Sequence, residues 1–305
     1  MEAMWAALPT AKHLMNVLWG GSAENAGGND TTSLRNEFHS PSRFLETLQC
    51  NDGSPNPIIK HFRFYAACIR HLNTTSHDYP FGLLGYMKSL IGTGTGDLFP
   101  TLRQLVWVEK EKLRLHRGDM TQFFPSSQLV DITLHFETGR QTAVWAQWTP
   151  EQRTSFQDTI VHLCSAIRCG QPALRRLTID APIHISIPAC VVIRDFSGLM
   201  HLDLRVCVGV NSDITENGRG PLLASLRVLG LLWTRKSLDA ESLLMNVSFD
   251  LLQQITIRSA EIPHDGFLSY ASRLMEHVSV HLTSIEIYSF TSGPTTLPKR
   301  SFHDF

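Results

Sequence analysis

The chain has 305 residues, of which 43% are hydrophobic and 18% are charged, and its formal net charge at pH 7 is -1. This composition is that of an ordinary folded protein and excludes a fibrous or wholly disordered chain. A charge so close to zero gives no overall attraction for phosphate backbones or anionic lipids, so we expect no nucleic-acid partner and no membrane partner. No apolar run reaches the roughly 20 residues that a transmembrane helix needs.

The amino-terminal segment, residues 1–48, begins with apolar residues at helical spacing. Glu2 stands where a secretory signal carries positive charge, so we predict a cytoplasmic or nuclear protein. The Gly-, Asn- and Ser-rich tract at residues 20–33 predicts a loop. The spacing predicts an amphipathic helix, kinked at Pro9, whose apolar face carries Trp5, Leu8, Leu14, Val17 and Leu18.

Residues 49–97 are predicted to form a helical cap followed by a loop. Apolar side chains recur at helical spacing over residues 57–72, and such a helix can cover the end of a repeat stack. The loop ends in IGTGTGD at residues 91–97, which has neither the Lys of a P-loop nor the third glycine of a dinucleotide loop, so we interpret it as a turn. The apolar helical positions are Phe62, Tyr65, Ala66, Ile69 and Leu72.

The most informative feature of the chain is a short pattern with aliphatic or aromatic residues at positions one, four and six. Positions four and six share one face of a strand, because successive side chains alternate. The pattern recurs at roughly 25 to 30 residues, apart from one longer interval, which is the period of a leucine-rich repeat. The copies are Leu102/Leu105/Trp107, Leu129/Ile132/Leu134, Leu174/Leu177/Ile179, Leu199/Leu202/Leu204, Leu226/Leu229/Leu231, Leu252/Ile255/Ile257 and Leu282/Ile285/Ile287.

For residues 98–305 this predicts an α/β fold: an irregular leucine-rich-repeat solenoid, with parallel strands on the concave face and helices or loops on the convex face. Irregularity is expected because leucine-rich repeats place Asn or Cys at position nine, and only the fourth copy has such a residue, Cys207.

The longest interval between copies contains a helix signal. Thr149 is an N-cap residue, Pro150 suits the first helical position, and Gln152 lies three residues after the cap. A second connecting helix is predicted over residues 265–278, and the polar residues 211–220 predict a loop. The first helix should bury Phe156, Ile160, Leu163 and Ile167 and end at Gly170 and Pro172.

Positions three, five and seven of each copy should point away from the core and map the exposed concave face. The third and fourth copies bring charged residues side by side there. Such a strip is either the docking site of a protein or a solvated sheet face with cross-strand salt bridges. The candidate protein-binding residues are Asp131, His135, Arg176, Asp180, His201, Asp203, Arg205, Arg258, Glu286 and Tyr288.

Motifs for metal or covalent chemistry are weak in this sequence. His277 and His281 lie four residues apart, as in zinc hydrolases, but Val278 occupies the place of the Glu that should follow the first His. No G-x-S-x-G nucleophile motif occurs. We therefore predict no catalytic residue, no metal site and no cofactor.

Several segments together resemble a known family. They are FRFYAACIRHL, LFPTLRQLVW, FFPSSQLVDITLHF, PALRRLTIDAP, FSGLMHLDL and LASLRVLGLLW. They resemble the region downstream of the F-box in the large fungal family of F-box proteins with degenerate leucine-rich repeats. The opening AMWAALPTAKHLMNVL is similar to the segment that directly follows the F-box, and no segment matches the F-box itself.

This resemblance implies a protein-protein recognition module like the substrate-binding part of an F-box protein of an SCF-type ubiquitin ligase. The chain would be a non-enzymatic monomer that binds an unknown protein ligand, and the SCF adaptor would join only if an F-box were supplied upstream. One alternative is an orphan leucine-rich-repeat scaffold or truncated gene product unconnected with ubiquitination. A remote alternative is a hydrolase or nucleotide-binding enzyme.

Overall fold

A computed structural model describes residues 7–8, 57–75, 98–109, 128–136, 149–170, 173–181, 192–193, 196–205, 223–233, 250–259 and 284–289. The helices α1 (Pro57–Cys68) and α2 (Pro150–Gly170) lie in these ranges, and residues 192–193 are also helical. The strands are β1 (Ala7–Leu8), β2 (His71–Thr75), β3 (Gln104–Glu109), β4 (Asp131–Phe136), β5 (Arg176–Asp180), β6 (His201–Arg205), β7 (Val228–Trp233), β8 (Gln254–Ser259) and β9 (Ser284–Ser289).

The chain divides into two compact units, Met1–Ile132 and Thr133–Phe305, and each is described by itself. This division lies within β4, whereas the sequence suggested boundaries at residues 48 and 97. In the first unit, β1, β2 and β3 pair in parallel in chain order. In the second unit, β5 to β9 do the same. Parallel sheets combined with helices give the chain the predicted α/β character.

All seven strands predicted from the repeated pattern are confirmed, and each begins at repeat position three. The described side chains at positions one, four and six are buried, as expected for the core of a sheet. Neighbouring strands pair with equal repeat positions opposite each other, for example Leu202 with Leu177 on one side and Leu229 on the other. One short pattern therefore fixes both the strand and its register.

The backbone repeats as regularly as the side chains. The carbonyl of Arg175, at position two, accepts hydrogen bonds from the backbone N–H groups of Met200 (2.8 Å) and His201 (2.9 Å) in the next copy. In the first unit, Arg70 makes the same pair of bonds with Arg103 and Gln104. Because these bonds join equivalent residues, position two forms a row at the start of the strands.

The prediction of a helix over residues 57–72 is wrong at its end. α1 stops at Cys68, and Leu72 lies on β2, whose register pairs it with Leu105. Ile69, Leu72 and Thr74 are all buried and form a further copy of the pattern at positions one, four and six. The apolar spacing fits both a helix and this pattern, and pairing with β3 favours the strand.

The helix predicted for residues 5–18 is also wrong where the structure describes it. Ala7 and Leu8 form β1, which pairs with His71 and Leu72 of β2. Leu8 thus occupies the position-four register of its neighbour. The other apolar residues of that predicted helix lie outside the described residues, as do the glycine-rich turn at 91–97, the loop at 211–220, the connector at 265–278, Cys207, His277 and His281.

The helix predicted in the longest interval is confirmed as α2, which begins at Pro150 and ends at Gly170. The four predicted core residues, Phe156, Ile160, Leu163 and Ile167, are buried, together with Cys164 and Thr159. Phe156 packs edge-on against Phe136 of β4, with 5.1 Å between ring centroids and an angle of 78° between the rings. This contact places α2 against the sheet of the second unit.

Candidate protein-binding surface

The structure divides the predicted exposed positions of the repeat into two groups. At positions three and seven the described side chains are half-buried or exposed, as in Arg176 and Asp180 of β5. At position five of the second unit, Thr133 is half-buried, whereas Thr178, Asp203 and Thr256 are buried. The alternation of side chains thus predicts correctly which face of the sheet position five lies on, but it does not predict how exposed that position is. Position five lies in the middle of the strand, where neighbours along the same strand and on both adjacent strands cover the side chain.

Asp203 is therefore corrected from an exposed candidate to a buried one, with 5% of its surface accessible. It lies in register with Thr178 of β5 and with Gly230 of β7. A buried carboxylate needs hydrogen-bonding partners inside the protein, so its first role is to support the sheet.

A partly exposed polar contact of this face joins two neighbouring strands at position seven. His135 Nδ1 lies 3.1 Å from Asp180 Oδ2, and the two side chains are 37% and 30% exposed. Arg205 is in backbone register with Asp180. We call His135, Asp180 and Arg205 the position-seven row. The accessible side chains of His135 and Asp180 can form charge-assisted hydrogen bonds with a polar partner.

A second row lies at position three. Arg176 is exposed and in backbone register with the half-buried His201. Adjacent parallel strands lie about 4.8 Å apart, so two equivalent side chains can contact the same ligand segment. The structure thus brings together five predicted residues of the third and fourth copies with one of the second.

The remaining candidates are Asp131, Arg258, Glu286 and Tyr288. Asp131 belongs to the first unit, where it is half-buried and its backbone N–H donates to the carbonyl of Arg103 at 3.1 Å. Arg258 pairs in backbone register with Tyr288, and Glu286 pairs with Thr256. The side chains of Arg205, Arg258, Glu286 and Tyr288 lie outside what the structure describes.

The alternation of side chains along a strand predicted exposure at positions three, five and seven. It gave no prediction for position two, which precedes the strand. Arg70, Arg103, Arg175 and Arg227 occupy this position in four different copies, and all four are exposed. Arg175 Nη1 also donates to the carbonyl of Gly198 at 3.0 Å, which orients its guanidinium along the row. The recurrence of Arg at one repeat position was the signal in the sequence that could have identified these exposed arginines within each unit.

Among the described residues, no group of three or more His, Cys, Asp and Glu side chains is arranged to hold a metal ion. Within the same ranges, no helix combines the length and hydrophobicity needed to cross a bilayer.

Comparisons with known proteins add no relative to this description. No family model matches the chain, and neither a curated protein nor a solved structure matches it. The resemblance to fungal F-box proteins therefore stays a prediction.

Proposed function

We propose that this chain is a non-enzymatic protein-protein recognition module built as an irregular leucine-rich-repeat solenoid. Its parallel strands would form the concave binding face, with helices and loops on the convex face. The observation that carries this proposal is the in-register stacking of one strand per repeat copy. Such stacking places equal repeat positions in rows, and extended rows of side chains suit the binding of another macromolecule.

The position-seven and position-three rows of the second unit are the proposed contact surface for the protein ligand. His135 and Asp180 are accessible and oriented by their mutual contact, which lowers the entropy lost when a partner binds. Arg176 adds an exposed guanidinium with a planar set of donors for carboxylates or carbonyls. Charged groups of both signs favour a partner surface with complementary charges.

The cellular role that agrees with the sequence resemblance is substrate recognition for an SCF-type ubiquitin ligase. In that role the chain would act as a monomer in the cytoplasm or nucleus and bring its ligand near the ligase without covalent chemistry of its own. The SCF adaptor would join through an F-box supplied upstream.

The test is affinity capture from native fungal lysate with the full chain as bait, followed by mass spectrometry. A Leu204→Asp bait is the control, because a charge at this buried position should unfold the chain and reveal proteins that bind only unfolded bait. We expect at least one stoichiometric partner that is absent from the control.

A recovered partner whose ubiquitination rises when the chain is fused behind an F-box would support the ligase role, and a partner whose ubiquitination is unchanged by the fusion would favour the orphan scaffold. Recovery of the same proteins by both baits would contradict the recognition module itself.

A further inference from the structure

The first unit carries a surface that the repeat pattern does not explain. Every exposed Lys, Arg, Asp or Glu side chain that the structure describes in this unit is positive, namely Lys60, Arg63, Arg70 and Arg103. The acidic residues described there are Glu109, which is buried, and Asp131, which is half-buried. Over residues 1–132 the sequence has 12 Lys and Arg and 12 Asp and Glu, so the positive character belongs to these described side chains and not to the unit as a whole.

An exposed aromatic ring lies among these charges. Phe64 is 60% exposed, one of two large hydrophobic side chains described as exposed, the other being Leu251. Lys60 and Phe64 are four residues apart on α1 and so share one side of the helix. Arg63 and the exposed Ala67 extend the same side toward the end of α1.

One contact joins the end of α1 to the turn before β3, and another joins the backbones of the two arginines at position two. The hydroxyl of Thr101 donates to the carbonyl of Ala67 at 2.7 Å. The backbone N–H of Arg103 donates to the carbonyl of Arg70 at 2.8 Å. We call Lys60, Arg63, Phe64, Arg70 and Arg103 the basic face.

The basic face has the electrostatic character of a binding site for an anion-rich partner. Arg70 and Arg103 occupy equivalent positions just before the neighbouring strands β2 and β3, and like charges placed side by side repel each other. A partner that supplies carboxylates would relieve this repulsion and could bond each guanidinium through two parallel hydrogen bonds. Phe64 offers the apolar anchor that protein interfaces commonly place among such contacts.

We infer that the basic face binds an acidic polypeptide segment that places an apolar side chain on Phe64. This inference rests on the proposed recognition function and names the chemistry of a partner. Single-stranded nucleic acid is less well matched, because it is bound by successive aromatic platforms along a basic groove. The described aromatic neighbour of Phe64 is Tyr65, which packs edge-on at 5.3 Å between ring centroids and is half-buried.

The experiment measures fluorescence anisotropy of a labelled peptide rich in Glu and Asp with two spaced Leu residues, titrated with the full chain. A peptide with Gln and Asn in place of the acids, and an oligothymidine of similar length, are the comparison probes. The test variants are Arg70→Glu/Arg103→Glu and Phe64→Ala. Their matched controls are Arg175→Glu/Arg227→Glu, at the same repeat position in the second unit, and Leu251→Ala.

We expect the acidic peptide to bind and Arg70→Glu/Arg103→Glu to weaken it by at least about tenfold, since charge-assisted bonds are replaced by repulsion. Phe64→Ala should weaken binding severalfold, and both controls should leave it unchanged. Circular dichroism verifies folding, and Lys60→Glu/Arg63→Glu on α1 replaces the first variant if that variant fails to fold.

Three results would overturn the inference: no binding of the acidic peptide, equal weakening by test and control pairs, or tighter binding of oligothymidine that the test variants abolish. The proposed recognition function would survive any of them, because its own test depends on a partner captured by the whole chain. Failure of the proposed recognition function would instead appear as the absence of a specifically captured partner, even if the acidic peptide bound.

Discussion

Single residues of the repeat have sharply different environments although they lie next to each other. Leu202, at position four of β6, is almost fully buried, whereas Arg176, at position three of β5, is exposed. The difference follows from alternation of side chains along a strand, so it was predictable from spacing alone. The burial of Asp203 was not, because spacing does not reveal how closely the neighbouring strands cover a central side chain.

Leu202→Asp is expected to unfold the chain. A charge introduced at this position would have no water and no partner, and the cost of several kcal/mol is comparable to the whole stability of a domain. Chemical denaturation followed by circular dichroism measures the effect. Arg176→Ala is the control and should change stability by less than about 0.5 kcal/mol; similar losses in both variants would refute the assignment of faces.

The start of α2 contains the pKa shift that the structure resolves. The pKa of Glu151 is lowered from its ordinary value of 4.5, because the hydroxyl of Thr149 donates a hydrogen bond to its carboxylate and its own backbone N–H donates another. The charged carboxylate therefore stabilises the fold above its ordinary pKa. That contribution is lost as the pH falls through the lowered pKa.

Thr149→Ala should raise the pKa of Glu151 toward its ordinary value and lower the free energy of unfolding above that pKa, because the charged carboxylate loses a hydrogen-bond donor. NMR titration of the Glu151 carboxyl and urea denaturation measure the two effects. Thr154→Ala is the control, because the Thr154 hydroxyl donates to the carbonyl of Pro150 at 3.1 Å. An unchanged pKa in Thr149→Ala would show that this hydrogen bond does not form.

At the scale of elements, the strands from β3 to β9 were easier to predict than β1 and β2, because β1 and the start of β2 were predicted to be helical. β3 to β9 each contain positions four and six of a complete apolar triplet, and position one lies two residues before the strand. The copy at β2 was missed because Thr74 stands at position six, where the other copies have an apolar residue, and because Ile69 and Leu72 also continue the helical spacing of α1. Only pairing with β3 decides between the two, and pairing is not visible in local sequence.

Asn73→Pro tests β2 directly. Asn73 is exposed, so the substitution acts mainly on the backbone, and proline cannot donate a hydrogen bond within a paired strand. We expect a loss of about 1–3 kcal/mol, typical of an unmet backbone partner, measured by denaturant unfolding against Asn73→Ala. If a helix ended near Leu72 instead, proline just beyond it would be tolerated, and the two variants would be equally stable.

At the scale of the whole molecule, composition predicted a folded chain but concealed its charge distribution. A net charge of -1 suggested no electrostatic binding surface, yet the described exposed charges of the first unit are all positive. Averages over the whole sequence cannot show which residues share a face. The spacing of the repeated pattern could show which residues share a face, and this spacing correctly placed Arg176, Asp180 and His201 on neighbouring strands.

The binding role of the position-seven row is the central claim about this molecule. Its most direct test is the dissociation constant of the partner recovered by affinity capture, measured for the unaltered chain, Asp180→Arg and Asp158→Arg. Asp180 contacts His135 within the row, whereas Asp158 is exposed on α2, and both substitutions change the net charge equally. Asp180→Arg should weaken binding by at least about tenfold and Asp158→Arg should not; equal affinity for all three proteins would contradict the claim.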